Sequence, residues 1–341
     1  MAKRIKHKCP LCCQNEIRLH LTRKDQIKIF RCLNCTAFLS EKIWEPKREI
    51  YEKKYFQSSA YQNYEKIPEF EFFWQYALVR LFSQQIKKVL DLGSGTGKFL
   101  EILKIEGIKA EGIDISFYAS KIAKEKKLSI RKLDLEKRNI PYSNYDVITA
   151  WDLIEHLINP LIFLKKVKRL ISENTTFIFT TPCADYRRKE WFNISLEHQL
   201  YFTHKSLKLL LKKVFDSQYR FKIIKINFGG KKSGYLSTFI VIIKKAKSVN
   251  QKISFFIKQR RLSQSEKINR YLKPILTHFF KDSEKERFFK AKGVQGTLLK
   301  LSLKYRTKSW QDEDRKFFDS ANPYFKSYQI QWLKHWKKKK N

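Results

Sequence analysis

The sequence predicts an α/β fold: a doubly wound, mainly parallel sheet of seven strands, with a cysteine-rich module before it and a basic, mostly helical extension after it. Three observations carry this reading. Short apolar strands alternate with helical patterns from about residue 87 to 215. Two more strands, at 221–228 and 235–244, follow around a Gly-rich turn and give the sheet an antiparallel edge. The run Lys88-Val-Leu-Asp-Leu-Gly-Ser-Gly-Thr-Gly-Lys-Phe-Leu100 spends three of the chain's ten glycines between a strand and a helix start. Four segments follow from these patterns: 1–45, 46–85, 86–248 and 249–341.

The first segment reads Cys9-Pro-Leu-Cys12, then nineteen residues, then Cys32-Leu-Asn-Cys35. Two C-x2-C knuckles at this separation are the spacing of a zinc ribbon. Each knuckle turns two thiolates toward one point, and residues 17–30 form a hairpin that returns the chain. Cys9, Cys12, Cys32 and Cys35 then close a tetrahedral shell with no open position, so the zinc is structural. Cys13 is a bystander. Residues 46–85 are rich in aromatics, and 69–82 has helical periodicity that covers one side of the next segment. The tyrosines at 55–64 either pack in the core or close over a ligand.

The third segment supplies the sheet. Strands are expected at 88–92, 110–115, 130–133, 146–150 and 176–181, with helices at 98–104, 118–126, 159–171 and 205–214. Asn159-Pro160 reads as a cap followed by proline in the first turn. In 249–341, Pro274, Gly293, Gly296 and Pro323 break the helices. Tyr324, Tyr328, Trp332 and Trp336 repeat at i, i+4 before Lys337–Lys340.

The glycine turn excludes two ligand classes. A Walker A loop needs Gly where Leu92 stands and a hydroxyl where Phe99 stands. A dinucleotide fingerprint needs its third glycine one residue later than Gly97. What remains is G-x-G-x-G behind a strand ending in Asp91. This resembles motif I of class I S-adenosylmethionine (SAM) methyltransferases. The resemblance spans about residues 50–245. Trp151-Asp-Leu-Ile-Glu155-His156-Leu-Ile-Asn159-Pro160 looks like the EH-x-x-x-P stretch of the branch that includes ubiquinone and sugar methyltransferases. The four-cysteine segment resembles that of bacterial methyltransferases linked to sugar or cell-surface glycan synthesis.

The resemblance implies a Rossmann-like methyltransferase fold and places SAM over the turn at Asp91, Gly93, Ser94, Gly95 and Gly97. It puts a ribose-gripping carboxylate at Asp114 beside Ile115, an adenine contact at Asp134 and Leu135, and further cofactor contacts at Trp151 and Asp152. Asp91 either receives the ammonium or orders the turn. Candidates for acid–base work are His156, Glu155 and, in Glu197-His198-Gln199, His198. His156 has a loop-orienting alternative, and Glu155 a capping one. Tyr186, Trp191 and Phe192 either line or cover the acceptor pocket.

The implied reaction is methyl transfer to an oxygen or carbon of a small molecule or a cell-surface glycan or lipid precursor. The alternative is RNA methylation, with ribbon and basic surface holding the nucleic acid. A net charge of +39 on 341 residues suits an anionic partner. Residues 249–341 alone hold 24 Lys+Arg against 8 Asp+Glu. Against RNA, no Asn/Asp-Pro-Pro-Tyr/Phe motif follows the fourth strand. The aromatic tail packs on the catalytic segment, lies on an anionic membrane or stacks on bases. The start lacks an apolar h-region, and no run reaches the roughly 18–20 residues of a span. The expected location is cytoplasmic, with a peripheral site on the inner membrane face as its variant.

Overall fold

The computed structural model describes residues 7–44, 51–57, 72–83, 86–185, 192, 197–227 and 237–246. The expectations for Tyr61, Tyr64, Tyr186, Trp191, the 229–234 turn and the extension 249–341 lie outside the described residues.

The main sheet has the order β10-β11-β8-β7-β4-β5-β6. Its parallel strands are β4 (Lys88–Leu92), β5 (Lys109–Asp114), β6 (Ser129–Lys132), β7 (Val147–Ala150) and β8 (Thr176–Pro182). The closing hairpin is β10 (Tyr219–Asn227) and β11 (Ser237–Lys245), with β11 antiparallel to β8. Every residue of β7 is buried, as befits a central strand covered on both faces. β6 is the edge, and its residues are mostly exposed.

The pleat sorts side chains between two apolar layers. Val89, Val147, Ile178, Ile240 and Ile242 face one layer, with Tyr76 and Val79 of α2 (Phe73–Phe82) and Phe99, Ile102 and Leu103 of α3 (Lys98–Ile105). Leu90, Ile148, Phe177, Phe179, Phe239 and Val241 face the other. There they meet Phe163, Leu164 and Val167 of α5 (Pro160–Lys168) and Leu207, Leu210 and Leu211 of α6 (His204–Val214). Consecutive residues such as Val89 and Leu90 thus serve opposite layers, which is the physical meaning of a doubly wound sheet.

Caps set the helix starts. Asn159 accepts from Ile162 N–H ahead of Pro160, as its sequence suggested. Ser116 accepts from Ala119 N–H ahead of α4 (Phe117–Glu125), and Thr203 and Ser206 form a reciprocal cap on α6. β5 ends one residue earlier than expected, because the Asp114 side chain accepts from Ser116 N–H and turns the chain. Ile115 therefore lies in the bend.

The cysteine-rich module forms a second, antiparallel sheet: β1 (Ile17–Thr22), β2 (Lys28–Cys32) and β3 (Phe38–Ser40). Its fourth strand comes from far along the chain. β9 (Leu200–Tyr201) pairs with β3, placing Leu39 opposite Leu200 and Phe38 opposite Tyr201. Nothing in the sequence signalled so short a strand. Leu11, Ile17, Phe30 and Leu39 of the module join the same apolar cluster as α5 and α6.

Gly112, midway along β5, lets the glycine turn approach. A Cβ there would stand 2.5 Å from Ser94 Oγ and 2.8 Å from Leu100 Cδ1. Gly112→Ala is expected to cost about 1–3 kcal/mol of stability through overpacking, read as a lower urea midpoint at an unchanged m-value.

Candidate active site and metal centre

The turn after β4 is built from backbone that only glycine adopts cheaply. Gly93, Gly95 and Gly97 have φ of 72°, 53° and 85°. Gly93 and Ser94 N–H both donate to Ile113 carbonyl oxygen, at 2.8 and 3.1 Å, binding the turn to the end of β5. The buried Asp114 carboxylate completes the tie. Oδ2 accepts from Gly95 N–H at 2.8 Å and Oδ1 from Ser116 N–H at 2.9 Å. Each oxygen keeps a second lone pair for a ligand hydroxyl. Burial raises the Asp114 pKa, against the pull of these N–H groups.

Asp91 lies deeper. Thr149 Oγ1 donates to its Oδ1 at 2.7 Å. Burial pushes its carboxyl up to about 8, with the Asp114 charge adding to the shift and the threonine opposing it. The carboxyl is therefore mostly neutral at pH 7, and a cationic group brought against it would favour its ionised form.

Glu52, unnoticed in the sequence, closes the rim. Its oxygens accept from Phe117 and Tyr118 N–H, both at 3.0 Å, and from Ser116 Oγ. It thereby caps α4 and complements that helix's positive end. Burial raises its pKa, but the Phe117 and Tyr118 N–H groups outweigh this and hold it below the usual carboxylate value. An acid cap 65 residues from the start of its helix has no local signature.

The remaining cofactor candidates are placed as follows. Asp134 Oδ1 accepts from Glu136 and Lys137 N–H, building its own turn. Leu135 is buried in the α5–α6 layer. Trp151 packs edge-on against Phe99, 5.5 Å between centroids. Asp152 takes a left-handed φ of 47° and exchanges two 3.0 Å hydrogen bonds with Thr180. Among the described residues, the buried Ser94 and Thr96 hydroxyls of the turn find no hydrogen-bond partner. Polar atoms left over in a glycine cradle, with carboxylates at Asp91 and Asp114, fit a compact zwitterion carrying vicinal hydroxyls, as SAM is.

The acid–base candidates meet at the same carboxyl ends of the strands. The 3-10 turn Ile154–His156 follows β7. Fully buried Glu155 accepts from Thr181 Oγ1 at 2.9 Å through Oε2. The His156 and His198 rings meet edge-to-face at 4.8 Å. Donor atoms of Glu155, His156 and His198 all lie within 4.8 Å of one another. His156 Nδ1 is 3.2 Å from the Tyr51 hydroxyl, so the segment before α1 (Lys53–Gln57) reaches both halves of the site. Burial pushes His156 down to about 4 despite Asp152, and burial, His156 and Arg23 hold His198 well below its ordinary value. Both imidazoles are neutral hydrogen-bond acceptors at pH 7. Phe192 packs on Phe38 and Tyr201 behind this pair.

At the other end of the module, Cys9, Cys12, Cys32 and Cys35 are buried with Sγ atoms within 4.8 Å of one another. Cys9–Cys35 and Cys12–Cys32 stand 3.7 and 3.4 Å apart. Zinc–sulfur bonds of about 2.3 Å in a tetrahedron separate sulfurs by about 3.8 Å, so the four fit zinc. The knuckles match: Cys13 N–H donates to Cys9 oxygen and Thr36 N–H to Cys32 oxygen, with φ of 65° and 67° at Cys13 and Thr36. Cys13 is exposed and serves as the turn residue of its knuckle. Four thiols this close cannot all ionise unaided. Hydrogen bonding to Cys32 pushes Cys9 up to about 12 and raises Cys35, while Cys32 is pulled down by Cys35 and Cys9. A dication resolves the conflict by taking all four as thiolates.

Residues 61–214 match the model of a methyltransferase domain. The chain carries a class I SAM-dependent methyltransferase domain. Among similar proteins, the ubiquinone biosynthesis O-methyltransferase of Photobacterium profundum is 28% identical over 102 residues, covering 28% of this chain and 43% of its own. The Histophilus somni enzyme of the same name is 31% identical over 106 residues, covering 28% and 44%. The chain therefore spans less than half the length of these relatives. Among solved structures, the plantazolicin methyltransferase BpumL with SAH aligns at 17% identity and TM-score 0.46, covering 60% of this chain and 93% of its own. A SAM-dependent methyltransferase from Clostridium acetobutylicum aligns at 14% and 0.42, covering 57% and 97%. Among the described residues, no helix is long and apolar enough to cross a membrane.

Elemental analysis of protein purified under reducing, chelator-free conditions should find about one zinc per chain. Cys32→Ser should abolish it and lower the unfolding temperature, because metal binding in such a module is folding energy.

Proposed function

We propose that this chain moves the methyl group of SAM to an oxygen or carbon of a small-molecule acceptor or a glycan or lipid precursor. The observation that supports it best is the placement of two neutral imidazoles, His198 buried and His156 half-buried, beside the cofactor turn at the carboxyl ends of one parallel sheet. Ligands of open α/β sheets bind in that crevice. The name of the ubiquinone biosynthesis relatives points the same way.

When bound, SAM supplies an electrophilic methyl on a sulfonium. The chain's residues do the rest. Asp91 takes the ammonium, the N–H groups opening α3 face the carboxylate, and Asp114 takes the ribose hydroxyls. Tyr51, His156 and His198 orient an acceptor hydroxyl so that a lone pair faces the methyl. Orientation of this kind is worth roughly 7–11 kcal/mol of a barrier. His198 would receive the hydroxyl proton as the methyl–oxygen bond forms and the methyl–sulfur bond breaks, its electron pair staying on sulfur. That oxygen grows strongly acidic as it gains the methyl, so even a weak base suffices. Glu155, tied to Thr181, holds the turn that carries His156. Zinc fixes the module and takes no part in the transfer.

The cofactor assignment predicts a pH dependence. Asp91 carries a proton below about pH 8, and a neutral carboxyl pairs poorly with an ammonium. SAM affinity, measured by calorimetry, should therefore rise between pH 6 and 8. Asp91→Asn should flatten that rise and weaken binding at pH 8 by about 10–100-fold, the value of a charge-assisted hydrogen bond.

The acceptor class is decided by incubating cell extract with radiolabelled methyl-SAM and the enzyme, then separating RNA, lipid, protein and soluble pools. Label is expected in the soluble or lipid pool and absent with Asp114→Ala. Label confined to RNA would replace this reading with RNA methylation.

A further inference from the structure

The cysteine-rich module delivers one charged side chain toward the acceptor end of the sheet. Arg23 follows β1 in the hairpin, where an arginine would ordinarily reach solvent. It is instead 2% exposed. Its Nε donates to Asp25 Oδ1 at 2.9 Å, and Nη2 donates to Asp25 Oδ2. Nη1 donates to the Tyr201 hydroxyl at 3.0 Å.

Tyr201, also 2% exposed, sits on β9 with its ring 5.9 Å from that of His198. The backbone on either side is pinned as well. Ser40 N–H donates to Gln199 oxygen, Gln199 N–H donates to Glu155 oxygen, both at 2.9 Å, and the Thr36 and Thr203 hydroxyls meet at 2.8 Å. Residues 199–203 are thus held by the module on one side and by the 3-10 turn of Glu155 and His156 on the other.

We propose that Arg23 is a positioning residue of the acceptor site: clamped by Asp25, it fixes Tyr201, and Tyr201 fixes the His198 imidazole against His156. The module thereby completes the acceptor site instead of standing apart from it. The chemistry is specific to a guanidinium. Its planar fork engages the carboxylate with two donors and still has a third for the phenol. Because Arg23 fills a lone pair of the Tyr201 oxygen, the phenol's own proton must point elsewhere, which sets the ring's hydrogen-bond direction. The fixed positive charge also disfavours a second one on His198, holding the resting imidazole neutral. The other titratable groups around His198 are His156, Tyr201 and Glu155; Asp152 bears on His156 and Glu197 on Tyr201. Among the described residues, the side-chain hydrogen bonds of Arg23 go to Asp25 and Tyr201 and not to a zinc ligand, so the effect is separable from metal binding.

The role given to His198 rests on the proposed methyl transfer; the clamp itself does not, and the test separates them. Full-length, zinc-loaded protein is labelled with 13C in its seven histidines, and the His198 signal is assigned with His198→Gln. Its titration is followed by NMR in the native protein, Arg23→Met and Tyr201→Phe, with zinc content and SAM affinity measured on the same samples. In Arg23→Met the His198 midpoint should rise by about 0.5–1 unit, as when a nearby like charge is removed, while zinc and SAM binding hold. In Tyr201→Phe, which deletes one oxygen, the His198 ring resonances should shift at unchanged zinc content. A native-like His198 titration in zinc-bound Arg23→Met overturns the proposal. If Arg23→Met fails to retain zinc, unshifted His198 resonances in Tyr201→Phe overturn it equally. Failure of SAM to bind any of the proteins would sink the methyltransferase reading and leave the clamp result standing.

Discussion

The Asp114 carboxylate is the constraint around which the catalytic domain is arranged. It sits where β5 ends, accepts from Gly95 of the glycine turn and from Ser116 ahead of α4, and so joins two loops to one strand. A buried carboxylate without such donors would be costly. The glycines, the absence of a side chain at Gly112 and the Glu52 cap on α4 all make this convergence possible. Each permits close backbone approach or supplies a compensating partner. The same convergence brings carboxylates together: the Asp114 charge adds to the raised pKa of Asp91, and the Glu52 charge to that of Asp114, which suits a site for a cationic ligand.

The second organising contact is the pairing of β3 with β9. Two strand residues join the cysteine-rich sheet to the segment that carries His198. So short a strand has little stability alone. It persists because Leu39, Leu200 and Phe202 lie in the same apolar cluster as α5, α6 and the cysteine knuckles. Packing of the module, the four-cysteine cluster and the proposed acceptor site therefore share one body of buried surface.

The two imidazoles show how the fold sets chemistry by burial. Neither His156 nor His198 is held charged by a carboxylate partner, although Glu155 and Asp152 are close. Burial of the rings outweighs the coulombic pull of Asp152 on His156. The site is left with neutral acceptors, which matches a reaction that releases a proton from its acceptor as a methyl group arrives.

The sequence by itself determined whatever rests on local pattern. Strand–helix alternation fixed the sheet, G-x-G-x-G fixed the turn, Asn159-Pro160 fixed a helix start, and the C-x2-C pairs fixed the four thiols that the fold gathers. These features are legible because period, cap and knuckle act over a few residues. Tertiary structure alone decided what depends on distant segments meeting. Glu52 caps a helix beginning at Phe117, Gly112 makes room for Ser94, Arg23 reaches Tyr201, and β9 completes a sheet begun at Ile17. In each case a polar or compact group gains its meaning from a buried partner far along the chain. Side-chain type without burial carries no sign of that partner: Arg23 reads as a solvent-facing hairpin residue until packing withdraws it from water.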